Sequence, residues 1–145
     1  MRPIGGWLSD KFGGARVTGW DTVLMIASAL GVAYYVHAAH GSDTPEIYFY
    51  PFLALFVLLF LTTGIGNGST FRMVPIIFPA NQAGPVLGWT SAVAAYGAFV
   101  FPNIFGAQIK AGTPQYAFYG FAAYYGVCLF INWWYYARRN AELPC

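Results

Sequence analysis

Apolar residues dominate the chain in long stretches, and the charged residues fall between them. Charge-free runs of 21 residues or more occur repeatedly, which is the pattern of membrane-spanning helices rather than of a folded globule in water. Four spans follow from this punctuation: 17–37, 47–71, 84–109 and 116–137. Each is long enough for a hydrocarbon core of about 30 Å, which takes about 20 helical residues. The expected fold class is all-α, a polytopic membrane helix bundle with four transmembrane helices. Gly64, Gly66, Gly68, Pro75, Pro85 and Pro102 lie inside or at the ends of these spans. Such residues are tolerated in a bilayer where neighbouring helices satisfy the freed backbone groups, so kinked helices in a packed bundle are expected.

Composition agrees with the pattern. Of 145 residues, 58% are hydrophobic, 20% aromatic and only 8% charged, against about 25% charged in soluble domains. The net charge of +2 comes from scattered residues, whereas a nucleic-acid surface needs clustered Lys and Arg. Two cysteines, Cys128 and Cys145, indicate neither a disulfide framework nor a thiolate metal site. The first residues carry one arginine but no long apolar run and no cleavage site, so they are not read as a signal peptide. No Ser/His/Asp set, carboxylate pair or phosphate-binding loop is found within the spans. No enzyme chemistry, cofactor or metal is therefore predicted. His37 and His40 read as an interfacial pair in water rather than a metal site, having no third ligand except Asp43.

The basic residues set an orientation. Lys11, Arg16, Arg72, Arg138 and Arg139 fall on one side when the spans alternate, and Lys110 alone on the other. Loops rich in Lys and Arg face the cytoplasm, which puts 10–16, the Pro79 connection and the C-terminus there. Trp133, Trp134, Tyr135 and Tyr136 before the arginine pair have the composition of an interfacial anchor. Arg72 reads as a second anchor.

Two charges lie deeper. Arg2, eight residues before Asp10, sits about 12 Å into the bilayer if the segment is helical. It is either a functional cation facing a polar cavity or a snorkelling residue near the chain's start. Asp21 is the one acid within a span; as an early-turn residue it is expected to pair with Arg16 or to favour the helix N-terminus. On that reading the helices hold a buried cation and no buried carboxylate, so a bound solute would be an anion and proton coupling through these helices is not expected. Gly64 with Gly68, and Gly84 with Gly88 and Ala92, have the four-residue spacing of close helix contacts.

The segment Gly6-Trp-Leu-Ser-Asp10-Lys11-Phe-Gly13-Gly14-Ala-Arg16 resembles the G-x-x-x-D-(R/K)-x-G loop of the major facilitator superfamily. That loop joins the second and third helices of each six-helix half at the cytoplasmic face. Three further stretches resemble the nitrate/nitrite porter family within it. They are Arg2-Pro-Ile-Gly-Gly, the run from Gly64 to Met73 through Gly66, Gly68 and Arg72, and the run from Gly88 to Gly97 through Ser91, Ala92 and Tyr96, which is similar to the family's nitrate-signature helix.

The resemblance covers nearly the whole chain and implies a C-terminal fragment of a twelve-helix carrier. Residues 1–9 would be the end of helix eight, 10–16 the cytoplasmic loop, and the four spans helices nine to twelve. It implies a multi-pass protein of the inner membrane whose partners are the nitrate or nitrite anion, the lipid bilayer and the missing N-terminal half. It also implies that Arg2 is the anion ligand of this half, with Gly88 and Ser91 lining the cavity. A guanidinium fork can address two oxygens of a planar anion, which an ammonium does less selectively. Signature positions 92–95 are Ala-Val-Ala-Ala, less glycine-rich than a strict pattern. Two other readings stay open: a carrier of another small anion, and a stand-alone four-helix membrane protein with a structural or assembly role.

Overall fold

The computed structural model describes residues 1–138. Five α-helices follow one another: α1 (Arg2–Phe12), α2 (Gly14–His40), α3 (Phe49–Ile77), α4 (Ala80–Lys110) and α5 (Gln115–Asn132). A 3-10 turn, Pro45–Tyr48, leads into α3, and a π-helical turn, Trp133–Ala137, extends α5. No strand occurs among the described residues.

Charge punctuation places the helices but not their ends. The loop expected over 10–16 shrinks to Gly13, since α1 continues to Phe12 and α2 starts at Gly14. The Pro79 connection is similarly short: α3 runs past Arg72 and Pro75 to Ile77, and α4 begins at Ala80 on a Pro79 N-cap. A charge at a membrane surface does not unwind a helix, so it marks where a helix meets water rather than where it stops. α2, α4 and the segment Pro45–Ile77 are long and apolar enough to cross a membrane. The fourth predicted span is helical as α5, but its 18 α-helical residues include Gln115, Asn132 and two glycines, Gly120 and Gly126, in a tyrosine-rich run, and it falls short of the other three in apolar character. Of the arginine pair that follows, Arg138 stacks over Trp134 at 4.7 Å, a cation–π contact; Arg139 lies outside the described residues, as does Cys145.

α2 is the central helix. It runs antiparallel to α3, with Thr18 beside Ser69 at one end and Gly31 beside Leu55 at the other. It also runs antiparallel to α5, with Ala15 beside Asn132 and Val32 and Ala33 beside Phe118. Most of its buried residues, among them Ala15, Thr22, Ser28, Ala29 and Ala33, are small. In a bilayer, where lipid is as apolar as leucine, helices associate through such close packing and through interhelical hydrogen bonds. The core centres on Val32, Ala33 and Phe118, joined by Phe52, Leu55 and Phe105. α4 touches only its chain neighbours α3 and α5, through contacts such as Phe101 and Phe105 against Phe121.

Gly13 makes the α1–α2 corner possible. Its φ of 89° with ψ of 134° is a conformation open to glycine and strained for other residues, typically by about 1–3 kcal/mol. Gly6, by contrast, has open space around it. Replacing Gly13 with Ala should destabilise the chain by that amount, and Gly6→Ala should be neutral; thermal unfolding in detergent micelles followed by tryptophan fluorescence compares the two.

Candidate functional site

α1 is docked parallel to the second half of α3 by backbone-to-backbone contact. Gly5 and Ser9 are its buried residues, and the Ser9 hydroxyl donates to the Gly5 carbonyl at 2.8 Å. A Cβ on Gly5 would run into the Ile65 carbonyl oxygen, and one on Gly68 into the carbonyl oxygen of Arg2. A Cβ on Gly64 would meet Met1 at 2.7 Å. Glycine on both helices therefore permits an approach that any side chain would block. Gly5 and Ser9 have the same four-residue spacing of small residues as Gly64 and Gly68, a signal of this contact that the sequence carries.

This docking fixes the motif residues. Asp10 meets Arg72 of α3, its Oδ1 accepting from Nε at 2.5 Å, with both side chains about half exposed at 52% and 51%. Arg72, expected from the sequence as an anchor, is thus the partner of the motif aspartate. At such exposure an ion pair contributes about 0.2–1 kcal/mol, so it orients the corner more than it holds it. Lys11 lies over the rings of Trp7 and Phe12 at 5.5 and 5.6 Å. Gly14 is buried against Met73, and Arg16 is exposed.

Asp21 is not where the sequence put it. It is 7% exposed, two turns inside α2 and not one, because α2 begins at Gly14. Its carboxylate is directed at Gly66 of α3, where a Cβ would stand 2.5 Å from Oδ2. Oδ2 has no hydrogen-bond partner, and Arg72–Asp10 is the one ion pair among the described residues. The expected pairing with Arg16 is not formed. Periodicity explains the error: five residues along a helix is about half a turn out of phase, so Arg16 and Asp21 leave α2 in different directions.

The three residues expected to line an anion cavity are not assembled within this chain. Arg2 is exposed at the start of α1, while Gly88 and Ser91 are exposed on α4. No Cα of α1 comes within 8 Å of α4. Ser91 donates its hydroxyl to the Leu87 carbonyl at 2.8 Å. The stripe Gly84, Gly88 and Ala92 also differs from expectation. Nothing lies within 4 Å of a Cβ at Gly84 or Gly88, Ala92 is exposed, and Gly97 meets only Phe101 of its own helix. A shallow groove of about 340 Å³ runs along Ala92, Ala95, Tyr96 and Phe99, beside Ser91 on the same helix.

The two glycine stripes therefore separate in a measurable way. Gly68→Ala should weaken the α1–α3 docking and lower stability by about 1–3 kcal/mol, the usual range for overpacking, while Gly84→Ala should leave it within about 0.5 kcal/mol. Equilibrium unfolding of both variants in mixed micelles gives the comparison.

Comparison with known proteins covers the whole chain. It is 42% identical to a probable nitrate/nitrite antiporter, NarK2, of Thermus thermophilus, over 99% of this chain and 32% of that protein. It is 35% identical to the nitrate/nitrite transporter NarU of Escherichia coli K12, over 96% of this chain and 34% of the relative. A nitrite extrusion protein of Bacillus subtilis is 33% identical over 96% of this chain and 33% of its own length. The chain thus spans about a third of the length of these relatives. No family model matches it, and no solved structure is significantly similar.

Proposed function

The chain belongs to the nitrate/nitrite transporter family, corresponding to a C-terminal portion of its members, and from that membership we propose that it moves nitrate and nitrite as part of a longer carrier. The observation that carries this reading is the 42% identity with the Thermus antiporter over 99% of this chain.

In this reading α2 to α5 are four membrane-crossing helices of a multi-pass inner-membrane protein with a cytoplasmic C-terminus. The N-terminal two-thirds of the carrier supplies the opposite wall of the cavity. Arg2 is the anion ligand of this half: its side chain is exposed and makes no ion pair among the described residues, which leaves the guanidinium open to an incoming anion. Gly88 and Ser91 line the same cavity from α4. They are three residues apart and so share a face, and that face is bare within this chain. Transport proceeds by rocking of two halves about a midplane site. The chain alone, lacking one half, does not transport.

A chimera tests this. The Thermus relative, with its homologous third replaced by this chain, should restore nitrate uptake to a host deficient in nitrate transport, whereas the chain alone should not. In the chimera Arg2→Lys should lower uptake about tenfold or more, the loss of about 1.5–3 kcal/mol expected for a hydrogen bond to a charged group. Uptake at the unsubstituted level with lysine at this position would sink the role given to Arg2.

A further inference from the structure

The buried carboxylate of Asp21 has no use in the anion-binding scheme. A lone ionised carboxylate within a helix interface is penalised by several kcal/mol unless a positive charge accompanies it, and intramembrane ionisable residues usually mark function. Each element packed on α2 can be asked for that charge. α1 carries Arg2, Asp10 and Lys11, all exposed, with Asp10 engaged by Arg72. α3 carries Arg72, engaged in the same pair. The titratable groups of α5 are tyrosines and Cys128, none of which can be positive, and past its end Arg138 lies over the Trp134 ring and makes no ion pair among the described residues. On α2, Arg16 is exposed and makes no ion pair. The positive charge therefore comes from none of these side chains.

The α2–α3 seam beside Asp21 carries hydroxyl groups. Ser69 of α3, fully buried, donates its hydroxyl to the Gly66 carbonyl at 3.0 Å and lies 2.8 Å from the Thr18 hydroxyl. Thr18 is one turn before Asp21 on α2, and Gly66 is the residue that the carboxylate abuts. One carboxylate, two hydroxyls and one carbonyl thus line the same stretch of the α2–α3 seam, with the Met25 sulfur beside Gly66; the oxygens are hard donors, which suit a proton or an alkali cation rather than a soft metal. The absent Cβ of Gly66 leaves the space that the carboxylate oxygen fills.

We propose that Asp21, with Thr18, Ser69 and the Gly66 carbonyl, forms a site between α2 and α3 for a single positive charge taken from solution, a proton on the carboxyl or a sodium ion beside it. This holds whichever anion is carried, because binding is measured without one. The sequence-based expectation that these helices hold no buried carboxylate is replaced by its opposite.

The test uses the full 145-residue chain in lipid vesicles, with Asp21→Asn, which keeps size and shape, and Ser69→Ala as a second variant. Infrared difference spectra read the carboxyl group, and binding of radioactive sodium reads the ion. A protonated-carboxyl band lost in Asp21→Asn supports the site with a proton. Saturable sodium binding, lost in Asp21→Asn and weakened about tenfold in Ser69→Ala, supports it with sodium. Should Asp21→Asn fail to insert, the sodium response of wild type against Ser69→Ala and the wild-type carboxyl band decide. Neither a carboxyl band nor sodium binding in wild type, or either persisting unchanged in Asp21→Asn, overturns the proposal.

Discussion

The contact of one helix backbone on another, α1 against the second half of α3, is the constraint on which the rest depends. Gly5, Gly64 and Gly68 remove the side chains that would hold these helices apart. Burial of apolar surface drives little association inside a bilayer, because lipid receives the same side chains as readily. Close packing and hydrogen bonds must do it instead. With α1 seated, Asp10 falls beside Arg72 and Arg2 falls against Gly68. With α2 following directly from Gly13, the first turns of α2 come to lie on α3 as well.

A polar seam continues that contact upward. Thr18 meets Ser69, Asp21 meets Gly66, and on the opposite side the Asn132 amide donates to the Ala15 carbonyl at 2.8 Å. Only beyond this level does α2 enter an apolar core, at Val32 and Ala33. The bundle is thus held by hydrogen bonds and small residues near one end and by aliphatic and aromatic packing near the other. The motif residues Asp10 and Gly14 lie at the first end, while the second end carries the apolar cluster.

How much of this could be read from the sequence differs by level. Long apolar runs reveal membrane helices because a span must be apolar along its full length, a constraint that a single chain displays openly. The motif segment and the transporter resemblance were equally visible, since they depend on residue identity in one continuous stretch. Helix ends were not, because charged residues do not stop a helix and α3 runs on past Arg72 to Ile77. Partners were less visible still. Nothing local distinguishes Gly68, which abuts Arg2, from Gly84, which abuts nothing described; both have the same spacing. Asp21 was misplaced because its environment is made by α3, 45 residues further on, and not by its neighbours on α2. The anion site itself was legible only through resemblance, since α1 and α4 do not meet in this chain.

The single-residue corner at Gly13 has a mechanical meaning. One residue spans at most about 3.6 Å, so α1 and the base of α2 share no slack. Asp10 ties the same corner sideways to α3 through Arg72. Pulling on Arg2 therefore pulls on three helices at once, and the distance from Arg2 to Asp21 is set by the corner rather than by either helix alone. Any rearrangement that repositions the arginine must carry the carboxylate with it as one rigid lever, or else break the glycine seat that joins them.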